Sequence, residues 1–177
     1  MTILLLFLFV LLALIFGYYF YRKNALINRM SNAVHLVKLG LFRRLKQSYL
    51  TNLESPEATL LADAVTALVF SEIPTAPHEL QFREEHRDRI EREARRLSQD
   101  KHICDLITQA ARTQAILAHI AKKEGVRDAS DRFERLKDLG ILVTGGDAPA
   151  PDTFISAART FSEGNLSPRA PASFHLR

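Results

Sequence analysis

The sequence predicts an all-α protein: a single N-terminal transmembrane helix, an amphipathic juxtamembrane helix, and a small cytoplasmic helical bundle with short loops. Three observations carry that prediction. From Ile3 to Tyr21 run 19 residues of which only Gly17 is neither aliphatic nor aromatic. Residues 1–53 hold seven basic side chains and no acidic one, whereas the rest of the chain holds 17 basic and 20 acidic groups. Beyond the first run, apolar residues recur at three- and four-residue spacing, and no period-two stretch suggests a strand. The implied division is an anchor over 1–23, a basic amphipathic helix over 24–50, a helical cytoplasmic domain over 54–144, and a loop, short helix and disordered tail over 145–177.

As a helix, the first run reaches about 28 Å, close to the hydrocarbon thickness of a bilayer. Helical form is required there, because lipid offers no partner to an unpaired backbone amide. Tyr18, Tyr19 and Tyr21 form an aromatic belt at one end, and Arg22 and Lys23 follow as the charge anchor. A cleaved signal peptide needs a basic n-region, a shorter apolar core and a small-residue cleavage site. None is present, so the run reads as an uncleaved signal-anchor. All seven cations of the first 53 residues follow the span. The positive-inside rule then puts the body in the cytoplasm, at the cytoplasmic membrane if the source is bacterial.

Residues 24–50 contain no acid and no proline. On a helical wheel Leu26, Ile27, Met30, Ala33, Val34, Val37, Leu41 and Leu45 share one side, with Leu36 and Leu39 breaking the pattern. Arg29, Lys38, Arg43, Arg44 and Lys46 become candidates for anionic lipid, since each cation near such a surface contributes about 1 kcal/mol. Packing of the apolar stripe on the soluble body is the competing account, and the lack of acids favours lipid.

Ser55-Pro56-Glu57 opens the next helix with a capping serine, a proline suited to the first turn and an acid for the dipole; Ile73-Pro74 closes it. Residues 78–98 are densely charged. Glu79/Arg83, Glu85/Arg89, Asp88/Arg92 and Glu91/Arg95 fall at i,i+4, where each pair adds about 0.2–0.5 kcal/mol. With few apolar marks, this helix is expected to be exposed and to offer a recognition surface through Arg83, Arg87, Arg89 and Arg92. Residues 100–124 return to a clear stripe, with Asp100 as the cap and Gly125 as the stop. A short helix over 130–139 ends at Gly140, an extended piece follows over 141–144, and Asp152 caps a last helix stopped by Gly164.

Thr144 to Pro149 resembles a nucleotide-binding loop: GGDAP is similar to the phosphate-binding opening of phosphofructokinases, and ILVTGG resembles the start of a Rossmann dehydrogenase. Both folds need a long α/β domain after the loop, and only residues 147–177 follow Gly146. The segment therefore reads as a turn. Residues 120–142 resemble a helix-turn-helix, in which Arg127, Arg132, Arg135 and Lys137 face DNA. Asp128, Asp131, Glu134 and Asp138 share that helix, and a DNA reader needs a basic face. Nucleic acid is thus disfavoured as a partner.

One cysteine excludes a disulfide scaffold and a thiolate zinc cage. None of the six histidines pairs with another at i,i+4, and no nucleophile elbow or Walker loop is present. The sequence thus predicts a non-catalytic interaction or scaffold role, with no cofactor. The partners expected are the lipid bilayer and either a protein or a second copy of the chain. A membrane-tethered DNA-binding module and a membrane enzyme with an unrecognised site are the alternatives.

Overall fold

A computed structural model describes residues 2–72, 76–121, 126–143 and 150–164, and the side chains of all of these except 2–5 and 126–129. Among the described residues there are seven α-helices, one 3-10 turn and no strand. The anchor and the basic amphipathic segment, expected as successive helices, form a single one: α1, Thr2–Tyr49, 48 residues long. No proline interrupts it, and its glycines, Gly17 and Gly40, stand far apart. At 1.5 Å per residue it is a rod of about 72 Å.

The two halves of α1 have different surroundings. From Leu6 to Tyr21 the large apolar side chains are 44–74% exposed and touch nothing in the body. From Ala33 onward the stripe turns inward, and Val37 and Leu41 are completely buried. The remaining helices gather round this second half: α2 (Ser55–Phe70), α5 (Lys101–Ala121) and α7 (Pro151–Glu163) each lie directly against α1. The core holds Leu41, Leu61, Val65, Ile107, Ile141 and Phe154, contributed by four helices and the segment that begins at Ile141. Protein, not lipid, is therefore the apolar partner of residues 33–49. The acid-free sequence misled here because hydrophobic spacing reports that a face is buried without saying by what.

Several helix ends differ from expectation. Glu54 occupies the N-cap of α2 without a side-chain cap bond, so Ser55 is the first helical residue and does not cap. The C-terminus comes before Ile73-Pro74, because Ser71 adopts a left-handed conformation (φ 55°, ψ 38°). Its amide donates to the Leu68 carbonyl and the Glu72 amide to the Ala67 carbonyl, the Schellman pattern. Gly140 (φ 72°) ends α6, Val126–Asp138, in the same way, with Ile141 donating to Leu136 and Gly140 to Lys137. Asp100 caps α5 as expected, its Oδ1 accepting from the Ile103 amide at 3.1 Å. Asp152 does not cap α7; Ala150 is the N-cap and Asp152 sits in the first turn.

The charged stretch over 78–98 is two helices. α3 spans Pro77–Glu85 and α4 spans Arg87–Arg96, followed by a 3-10 turn over Leu97–Gln99. They meet at His86 (φ −114°, ψ 21°), whose ring stacks on Phe82 at 4.3 Å. α3 buries no residue, while α4 buries Ile90 and Ala94 against α2. Residues 141–143 follow α6 without regular structure, although Ile141 is fully buried. The nucleotide-loop resemblance at 144–149, the turn of the helix-turn-helix pattern at 122–125 and the tail at 165–177 lie outside the described residues.

Candidate functional site

Two surfaces of this architecture face outward with more than ordinary solvated polarity. The first is the free half of α1. It is the one helix among the described residues long and apolar enough to cross a membrane, and none of its most apolar window is buried. Tyr18, Tyr19 and Tyr21 are exposed round its C-terminal end, and the Arg22 guanidinium lies 5.8 Å from the Tyr18 ring centre. Burying a bare apolar rod of this length in lipid removes a large area from water at about 25 cal/mol per Å². That area is left uncovered by the other described residues.

The cations expected to meet anionic lipid divide into two groups. Arg29 Nη2 pairs with Asp152 Oδ1 at 2.9 Å, tying the start of α7 to α1. Lys38 pairs with Glu72 just beyond the C-terminus of α2, and its ammonium lies 5.2 Å from the Phe70 ring centre. Arg44 sits over Phe161 of α7, with its guanidinium carbon 4.2 Å from the ring centre. These three hold helices to one another. Arg43 remains exposed on α1 and Lys46 is half-buried near its C-terminus. By the rise of the helix, Arg43 lies about 33 Å beyond Tyr21, outside the reach of a headgroup.

The second surface is the groove between α2, α3, α4 and the end of α6. Its floor is apolar, built from Ala64, Ala67, Leu68, Leu80, Ile90 and Leu139, and its cavity volume is about 630 Å³. Both signs of charge share the rim: Arg83, Arg87, Arg95 and Arg135 against Glu72, Glu84, Glu91 and Asp138. Of the four arginines expected to present a recognition surface, two turn inward. Arg83 donates to the Glu72 carbonyl at 3.0 Å and reaches Asp63 at 4.0 Å, while Arg89 binds Glu57 at 2.7 Å. On one unbroken helix they would diverge by about 120°; with the break at His86 between them, both reach α2. Arg87 and Arg92 are exposed, Arg87 pairing with Glu91 at 3.3 Å. The sequence pairing Glu91/Arg95 is present at 3.9 Å, whereas Arg83 and Arg89 have exchanged their expected partners for acids of α2. Leu80 and Leu139 are the groove residues that charge-based reading missed. Leu80, an exposed leucine beside a charged run, was the available signal.

Beside this groove, burial pushes the Asp63 carboxyl above its ordinary range; Glu79 adds to that, Arg83 opposes it, and Glu72 raises it further. Burial likewise raises the Cys104 thiol, with Asp100 and Asp105 adding to it, and its Sγ donates to the Leu97 carbonyl at 3.3 Å. Such a thiol is a poor nucleophile, since reactivity belongs to the thiolate. No group of three metal-ligating side chains occurs among the described residues. In the helix-turn-helix reading, Arg135 instead lines the groove rim and Lys137 pairs with Glu134 at 3.6 Å.

The chain matches no protein-family model, no curated protein and no solved structure, so these surfaces stand on their own geometry.

Proposed function

We propose that this chain is a single-pass membrane protein whose helical body serves as a docking or scaffold module at the cytoplasmic face, without catalysis of its own. The observation that carries the reading is the bare apolar half of α1, which continues without a break into the helix at the centre of the body. A rod this apolar needs lipid around it, and the same helix then sets the body's place. Arg22, Lys23 and Arg29 follow the span directly, which supports an N-out, C-in orientation. The apolar-floored groove between α2, α3, α4 and α6 is the surface for a protein partner. Its mixed rim suits a polar-edged protein contact better than the uniform phosphate charge of nucleic acid.

Carbonate extraction of membranes is the first test, and the chain is expected to remain with the lipid pellet. A protease-sensitive tag at Arg177 should be protected in sealed cells and digested after lysis; digestion in intact cells sinks the orientation. For the groove, a photo-crosslinking residue at Leu80 should capture a protein in native membranes that the same residue at Leu50 does not. Equal capture at both positions removes the groove from the proposal.

A further inference from the structure

Among the described residues outside α1, large apolar side chains are exposed at four places: Leu50, Leu80, Ile116 and Ile120. The last two lie one turn apart at the C-terminal end of α5. They extend a stripe whose earlier members, Leu106, Ala110 and Thr113, are buried. The described core leaves both about half exposed.

Their height in the molecule says what covers them. A crevice of about 360 Å³ sets Gln114, Leu117 and Ala121 of α5 beside Ser31 and Lys38 of α1. The other end of α5, at His102, shares a crevice with Arg44. α5 therefore runs back alongside α1 toward the apolar rod and ends near the level of Ser31. Ser31 is ten residues beyond Tyr21, or about 15 Å of helix. A headgroup layer is about 5–8 Å deep on each side, and membrane helices tilt by about 20° on average and up to about 40°. With α5 about 9 Å to one side of α1, a tilt of about 30° toward α5 lifts its end to about 9 Å from the hydrocarbon edge. That is the margin of the headgroups, within reach of an isoleucine side chain.

Charge selects the direction of tilt. Residues 106–121 of α5 contain no acid, like residues 22–49 of α1. On the α7 side, the same height is occupied by Asp152, whose side chain is 81% exposed beside Arg29. There Asp152 neutralises Arg29, so an anionic surface gains nothing from that side and favours the acid-free one. We infer that the C-terminal end of α5 lies in the headgroup layer of the bilayer that α1 crosses, with Ile116 and Ile120 inserted, so that the body leans onto the membrane with its α5 side. The inference rests on the reading of residues 3–21 as a membrane span.

The chain has no tryptophan, so an introduced one reports its own depth without background. The full chain is reconstituted in vesicles of phosphatidylglycerol and phosphatidylcholine, with and without lipids carrying a nitroxide on the headgroup. Tyr19→Trp and Ile120→Trp are both expected to lose emission to the nitroxide, to a similar extent. Leu50→Trp, at the far end of the body, should keep its emission. If Tyr19→Trp is quenched while Ile120→Trp is not, the inference fails and the span reading stands. If Tyr19→Trp also escapes quenching, the span reading fails and takes the inference with it. A blue-shifted but unquenched Ile120→Trp means that a protein surface, a partner's or a second copy's, covers the patch, and this too overturns the inference. Ile116→Trp is the second reporter, read only from variants whose helical content and melting match the parent chain.

Discussion

Gly40 is buried where α1 meets α7, and a Cβ there would come within 2.7 Å of the Phe161 ring and 3.2 Å of its carbonyl oxygen. Gly40→Ala should therefore destabilise the body by about 1–3 kcal/mol through overpacking, despite the better helix propensity of alanine; urea unfolding in detergent measures it. Ser71 is the opposite case, a side chain held in a left-handed conformation that glycine adopts freely. Ser71→Gly should stabilise by up to about 1 kcal/mol in the same assay, because the Schellman bonds remain and the strain goes. At Asp63 the sign runs with pH. Burial holds the carboxyl above its unfolded value, so folding takes up a proton there. Its favourable contribution is greatest in acid and is lost as pH rises through the raised carboxylate range. Asp63→Asn should accordingly gain stability relative to wild type as pH rises through the raised carboxylate range; a constant difference would contradict the assignment. Of these three residues, none was singled out by sequence. Gly40 stood within an apolar stripe, Asp63 was one acid among many, and Ser71 lacked the glycine that made the stop at Gly140 legible.

At the scale of elements, the helices were legible wherever an apolar stripe and a cap coincided. The helix starting after Asp100 is the clearest instance: its cap bond forms, and Ile103, Leu106, Ile107 and Ala110 are buried as spaced. Legibility failed where a sequence is polar all round. The break at His86 had no signal, since residues 78–98 read equally well in any helical register until α2 supplies Glu57 and Asp63 as partners. Failure of another kind occurred in the second half of α1, whose stripe was seen and whose covering was misread. Truncating that stripe tests the correction. Leu41→Ala should cost about 2–5 kcal/mol of body stability, because Leu41 is wholly enclosed. Were the stripe covered by lipid instead, the body's unfolding midpoint would not move and only membrane partitioning would weaken. Continuity of α1 is tested by spin labels at Tyr21→Cys and Gln47→Cys. They should give one narrow distance near 39 Å by helical rise (approximately), and Asn28→Pro should broaden it while leaving the body's melting intact.

For the molecule as a whole, the core draws on nothing before Met30. A fragment of residues 24–177 should thus be water-soluble, helical and cooperative in its melting, while the full chain is expected to need detergent; an aggregated or molten fragment would contradict the division of α1 into a free half and a packed half. The body has little freedom of its own relative to the rod, because the central helix of its core is the rod's own continuation and Arg29, Lys38 and Arg44 brace neighbouring helices against it. A swivel would require melting several turns of α1. Torque applied along the hydrophobic stretch is therefore passed on to the packed half, as in a drive shaft: if two such stretches were twisted past each other in the plane of the lipid, the grooves they carry would turn with them.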